Sequence, residues 1–234
     1  MPDPVALLLL PGLLCDPALW EHQARFLADV ADVRIADLTQ ADSMATMAET
    51  ALAGAPSRFA LAGLSMGGYV SLEIMRRAPE RVIKLALLDT AARADTAEQT
   101  ERRRALIASV EAGAFETVPP RLLPLWIHPD RQSDPDLVPA LKAMAARVGP
   151  AAFLREQQAI MGRPDSRPDL PRIGCPTLVL CGREDASTPL GLSEEMASMI
   201  PNARLSIIEQ CGHMSTMERP QAVTAMLRDW LLYS

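Results

Sequence analysis

Ser57-Arg-Phe-Ala-Leu-Ala-Gly-Leu-Ser-Met-Gly-Gly68 carries more of the fold than any other stretch of this chain. Its apolar residues 59–62 predict a strand, and the stretch Met66–Arg77, closed by Pro79, predicts a helix. Between them Gly63-Leu64-Ser65-Met66-Gly67 has the form G-x-S-x-G. A serine on so sharp a turn has its hydroxyl pushed out of the fold at the positive end of a helix. Glycines two residues to either side let the backbone turn that tightly, because a Cβ there would clash with a facing strand or helix. This is the setting for a nucleophile. The alternative is a glycine-rich turn whose serine merely caps a helix; the strand before and the helix after favour the nucleophile.

Outward from that turn, short Val/Leu/Ile runs alternate with helical stretches, which predicts an α/β fold with a mostly parallel, doubly wound sheet covered on both faces. Strands are expected at Val5–Leu10, 33–37, 58–62, Val82–Leu88, 177–181 and 204–208. Helices are expected at 17–28, Met44–Ala53, Met66–Arg77, Leu190–Met199 and 220–232. Active residues then belong on loops at the carboxyl ends of the strands. The alternation stops between residues 92 and 171. A charged helix at 96–112 is followed there by Pro119, Pro120, Pro124, Trp126, His128, Pro129 and Pro135, a second helical stretch at 137–161, and Pro164, Pro168 and Pro171. Residues 1–91 and 172–234 thus read as a core, and 92–171 as a helical cap inserted between two strands, lying over the carboxyl end of the sheet.

With 234 residues, the chain is long enough to bury roughly 70% of its unfolded surface around one core. Its 29 acidic against 23 basic residues give a net charge of −6, which argues against nucleic acid or an anionic membrane as partner. The start, Met-Pro-Asp-Pro, has no basic region, and Val5–Leu10 is too short for a signal peptide or a membrane span. The four cysteines show no C-x-x-C spacing, so reduced thiols and a soluble cytoplasmic protein are expected. Cys211 and His213 are two metal-ligand types without partners at metal spacing, so no metal is expected.

A serine hydroxyl needs a base within hydrogen-bond reach, and the chain has three histidines. His22 sits beside Glu21 and Gln23 on the first helical stretch and is expected to face solvent. His128 lies in the proline-rich insertion, where it could line a substrate site. His213, in Gln210-Cys-Gly-His-Met214, follows the last strand at the edge where Ser65 should emerge, and is the expected base. Three acids compete to orient it: Asp185, its neighbour Glu184, and Asp89 at the end of an earlier strand. Asp185 is preferred because Ser65, Asp185 and His213 then occur in the order that a serine elbow on this fold requires, which leaves Asp89 as a turn residue. An oxyanion needs N–H donors. The amide of Met66, after the serine, and by position that of Leu13, in the loop after the first strand, are the candidates.

The chain resembles the α/β-hydrolase superfamily, most nearly its small bacterial cap-containing members such as carboxylesterases, enol-lactone hydrolases and cofactor-free haloperoxidase-like enzymes. The resemblance rests on Leu9-Leu10-Pro11-Gly12, the elbow from Gly63 to Gly68, Pro176-Thr-Leu-Val-Leu-Cys-Gly-Arg-Glu-Asp185, and Gly212-His213. It covers nearly all of the chain outside the insertion. Two positions depart from the pattern: most relatives have His-Gly where this chain has Pro11-Gly12, and those that cleave carbon–carbon bonds have Asn where it has Leu64. The resemblance implies a serine hydrolase that needs no cofactor and acts on a small or medium ester or lactone through an acyl-enzyme. Leu122, Leu123, Leu125 and Trp126 of the insertion, with Leu14, are then expected around an apolar substrate, and activity is expected to fall as His213 protonates at about pH 6 to 7. A ligand receptor or a lyase on the same fold is the alternative, and perhydrolysis a side activity.

Overall fold

The computed structural model describes residues 4–233. Six strands form one parallel sheet: β1 (Val5–Leu10), β2 (Ala31–Ile35), β3 (Phe59–Leu64), β4 (Val82–Leu88), β5 (Thr177–Gly182) and β6 (Ala203–Ile208), in the order β2-β1-β3-β4-β5-β6. The chain winds outward from β1 to β2, then returns to β3 on the other side of β1 and continues to β6. Adjacent strands β1 and β3 therefore lead in opposite directions, and the crevice at their carboxyl ends is the place where such sheets bind ligands. β3 and β5 are buried throughout, as strands covered on both faces must be. The edge strand β2 instead alternates, with Asp32 and Arg34 outward, and it starts two residues before the expected 33–37 because Ala31 pairs with Val5.

Strand residues divide by parity between two apolar layers. Leu7, Leu9, Ala60, Ala62, Leu88 and Leu180 pack with Trp20 of a 3₁₀ turn (Pro17–Trp20) that precedes α1 (Glu21–Phe26), and with Leu227 and Trp230 of α9 (Pro220–Tyr233). Leu8, Leu10, Leu61, Leu87 and Val179 pack under α2 (Met44–Ala53), α3 (Met66–Arg77) and α7 (Leu190–Met199). A one-turn helix, α8 (Ser215–Glu218), precedes α9.

Between β4 and β5 lie α4 (Ala97–Glu111), α5 (Val118–Trp126) and α6 (Leu137–Met161). α4 begins with a capping box in which Thr96 and Gln99 serve each other's backbone amides. The proline-rich stretch to which the sequence assigns no element contains α5. Pro119 and Pro120 fall in its first turn, where amides have no helical partner to lose, and Pro124 lies inside it. α6 is two helices meeting at Gly149, whose φ of 78° no helix allows, with Pro150 opening the second. By length and composition α6 could cross a membrane, but Leu141, Met144, Ala145, Phe153 and Ile160 are buried in the fold. The two ends of this segment are tied together: Ser166 donates its N–H to the Ala92 carbonyl at 2.7 Å, and Arg163 Nε donates to that of Arg93 at 3.0 Å.

Candidate active site

Ser65 stands at the β1/β3 crevice in a strained conformation, φ 55° and ψ −115°. Strain of this kind persists only where neighbours over-determine it. Here its N–H donates to Leu88 O at 3.0 Å, its carbonyl accepts from Gly68 N at 2.9 Å, and Thr90 Oγ1 donates to the same carbonyl at 2.7 Å. The flanking glycines are needed for close approach. A Cβ on Gly63 would lie 2.2 Å from Gly67 O, and one on Gly67 only 2.1 Å from Leu10 O.

His213, on the loop after β6, faces Ser65. Its Nε2 lies 2.8 Å from Ser65 Oγ, and its Nδ1 lies 2.8 Å from Asp185 Oδ2. With Nδ1 protonated toward the carboxylate, Nε2 is free to accept from the serine. Asp185 is itself held by the amides of Ser187 and Thr188, both at 2.8 Å, and by the Thr188 hydroxyl at 2.7 Å. Burial alone would lower the imidazole pKa. The charge and hydrogen bond of Asp185, with the charges of Asp89 and Glu218, outweigh it and raise His213 above the ordinary histidine value.

The rival acids are placed elsewhere. Glu184 Oε2 accepts from Cys211 N at 3.0 Å, bracing the loop that carries His213. Asp89 does turn the chain, with φ 45°, but it is wholly buried; it accepts from Gly182 N at 2.9 Å and from the Ser215 hydroxyl. Burial first, and then the nearby Asp185 charge, push the Asp89 carboxyl well above its ordinary value. The other histidines lie away from the serine. His22 is half-buried rather than solvent-facing, because its Nδ1 meets Thr224 Oγ1 at 2.8 Å. His128 donates its N–H to Glu218 Oε2 at 2.8 Å and does not line the cavity.

Residues 12–15 form a tight turn, with Cys15 N donating to Gly12 O at 3.1 Å and Leu14 at φ 59°. Gly12 abuts the serine, since a Cβ there would lie 3.3 Å from Ser65 Cβ. Leu13 lines the cavity beside it, and Met66, as first residue of α3, has an amide without a helical partner. Leu14 N–H is taken by Glu156 Oε2 of α6 at 3.0 Å. Glu156 is fully buried, its Oε1 has no hydrogen-bond partner among the described residues, and burial pushes its carboxyl up to about 8. In the sequence it stands among Arg155, Gln157 and Gln158, in a stretch that reads as the polar face of a helix, so nothing there marked it out.

Above Ser65 and His213 a cavity of about 180 Å³ is walled by Leu122, Leu125 and Trp126 of α5, Leu106 of α4, and Tyr69 and Ile160. Two expected substrate contacts are corrected. Leu123 falls off the helical face shared by 122, 125 and 126, and Leu14 turns its side chain down into the core, so neither lines the cavity. α4 contributes Gln99, Arg102 and Arg103, which the apolar expectation passed over.

The sequence pattern of the alpha/beta hydrolase family matches residues 7–226. Among curated proteins, the pimeloyl-[acyl-carrier protein] methyl ester esterase of Neisseria meningitidis is 27% identical over 227 residues, covering 95% of this chain and 86% of its own. Among solved structures, a thermophilic esterase from Thermogutta terrifontis, with malate bound, superposes with a TM-score of 0.89 at 29% identity, covering 97% of this chain and 89% of that one. The enol-lactonase from Burkholderia xenovorans LB400 gives 0.88 at 23% identity, covering 98% and 92%, and so shares the fold.

Proposed function

This chain belongs to the alpha/beta hydrolase family, and from that premise we propose that it is a serine hydrolase of carboxylic esters or lactones that works through an acyl-enzyme. The observation that carries the reading is the unbroken Ser65–His213–Asp185 relay, 2.8 Å at each link, opening on a walled cavity. Ser65 Oγ attacks the substrate carbonyl while its proton passes to His213 Nε2. Asp185 holds the ring in the tautomer that can accept it and stabilises the imidazolium. The amides of Met66 and Leu13 receive the oxyanion; losing one such donor typically costs about a hundred- to a thousand-fold. The Nε2 proton then goes to the leaving alkoxide; water attacks the acyl carbon as His213 takes its proton, and that proton passes from Nε2 to Ser65 Oγ as the acyl–oxygen bond breaks and the acid leaves.

Residues 92–171 act as a cap in this reading. Its support is that α4 and α5 wall the cavity over Ser65 while the two ends of the segment are bonded to each other at the sheet. Its apolar residues suit a small or medium acyl or alkyl group, and a small molecule is the partner. A soluble, cytoplasmic setting agrees with the four unpaired thiols. The test is labelling by a fluorophosphonate followed by a panel of esters, lactones and thioesters. Wild type should be labelled at Ser65 and turn over part of the panel, and Ser65→Ala should do neither; folded protein that resists labelling sinks the reading.

A further inference from the structure

We propose that the cavity selects substrates bearing a free carboxylate, with Arg102 and Gln99 of α4 as its ligands and Arg103 as a fixed positive charge behind them. The binding claim stands on its own geometry; the statement that the bound molecule is an ester rests on the hydrolase reading above.

Positions 99, 102, 103 and 106 are spaced i, i+3, i+4, i+7 and so share one face of α4, the face that meets the cavity. Its lining includes two arginines and no aspartate or glutamate. A lining of that composition favours an anionic ligand over a cationic one.

The imbalance continues behind the wall. Arg103 Nε and Arg163 Nη1 both pair with Asp95, each at 2.7 Å, and the Asp95 side chain is 2% exposed. Two guanidiniums thus share one carboxylate. The remaining partners of Arg163 are backbone carbonyls and the Tyr69 ring, 4.3 Å from its guanidinium carbon. Arg103 adds only the neutral Gln157, at 2.9 Å. Among the described residues one positive charge is left without a counterion beside the cavity, and burying an unpaired charge is costly. An anion arriving in the cavity supplies the missing partner.

Arg102 is free to meet that anion. Its acidic partner is Glu98, one turn back, in a pair whose side chains are 68% and 75% exposed. Such i,i+4 surface pairs hold weakly, so a ligand carboxylate held within the walled cavity can displace Glu98. Gln99 gives its Oε1 to the cap of α4, at Thr96 N, which leaves its Nε2 to donate to the same ligand. Arginine presents two parallel N–H bonds to a carboxylate, which makes the contact directional as well as attractive.

The test uses the monomethyl esters of succinic, glutaric and adipic acids against their neutral methyl ester amides, with calorimetric binding to full-length Ser65→Ala and turnover by wild type. At least one anion in the series is expected to bind about tenfold or more tightly than its amide, as one charge-assisted contact allows. Arg102→Gln is expected to bring that ratio close to one. Glu98→Gln, which removes the competing carboxylate, is expected to raise it. Equal binding of acids and amides across the series, no anion binding up to about 20 mM, or a ratio unmoved by Arg102→Gln would overturn the proposal. Turnover separates the two readings: wild type that hydrolyses acids and amides alike keeps the hydrolase and loses the anion site, whereas selective binding without any turnover does the reverse.

Discussion

At the scale of the residue, Asp185 and Asp89 show why neighbours in the same crevice take different roles. Both are buried carboxylates at strand ends, but Asp185 accepts two amides, a hydroxyl and the imidazole, whereas Asp89 accepts one amide and one hydroxyl. The first arrangement fixes Asp185 against Nδ1; the second leaves Asp89 off the imidazole, with its carboxyl raised well above the ordinary value by burial and by the charge of Asp185. Asp185→Asn is therefore expected to lower kcat by about 10⁴-fold, because an amide fixes the wrong imidazole tautomer. Asp89→Asn, isosteric and without a hydrogen bond to the imidazole, should stay within about tenfold of wild type. Comparable losses in the two variants, read by ester hydrolysis at one pH, would contradict these roles. The order of Ser65, Asp185 and His213 was legible in the sequence. The choice between Asp185, Glu184 and Asp89 turns on which oxygen reaches Nδ1, a distance that no spacing encodes. The same environment sets the pH limb. His213 must be neutral to accept the serine proton, and its pKa is raised. Activity should thus reach half its maximum above the ordinary histidine value of 6.5. A profile of kcat/KM whose acidic limb falls below that value would count against the assignment.

Among the elements, β1 and β4 were legible to the residue, because buried parallel strands are written as continuous apolar runs. α5 was not, since a proline-rich stretch gives no sign of which prolines fall in a first turn. Without that helix there was no register to separate Leu123 from Leu122 and Leu125. Gly149 and Pro150 were present to be read as a break in α6, but an apolar pattern continuous on both sides concealed it. Glycines also diverge once elements are packed. At Gly67, an added Cβ 2.1 Å from Leu10 O must push the end of β1 away. Gly67→Ala is expected to cost about 3 kcal/mol or more in stability, with activity falling along with the displaced 12–15 turn beside Ser65. At Gly191, exposed in the first turn of α7, nothing lies within 4 Å. Gly191→Ala should stabilise by about 0.5 kcal/mol, seen as a Tm higher by about 1–2 °C for a chain of this size. A Gly67→Ala protein with a wild-type Tm and activity would show that the elbow tolerates a side chain where this packing leaves no room.

For the whole molecule, pH dependence of stability follows from which acids the fold buries, something that no local pattern announces. Asp89, Glu156 and Glu218 are all raised, each chiefly by burial, and Glu156 reaches about 8 from an ordinary value of 4.5. The acids that are lowered, Asp29, Asp134, Asp165, Glu195 and Glu209, are surface groups beside arginines or backbone amides, where solvent screens the gain. Between about pH 4.5 and 8 the unfolded chain has released the Glu156 proton while the folded chain still holds it. The folded state binds more protons in that window, so stability falls as pH rises through it and levels off above. For Glu156 alone the loss is on the order of a few kcal/mol, because each tenfold difference in proton affinity between the two states is worth about 1.4 kcal/mol. Glu156→Gln removes this titration while keeping a carbonyl that accepts the Leu14 N–H, so it should fold and retain activity. Urea unfolding at pH 5, 7 and 9 should show the wild type weakening progressively and the variant much less, with the difference between them widening to pH 8 and then constant. A difference independent of pH would mean that Glu156 is already ionised in the folded protein, and the 12–15 turn would then be held by a buried carboxylate instead of a neutral acid.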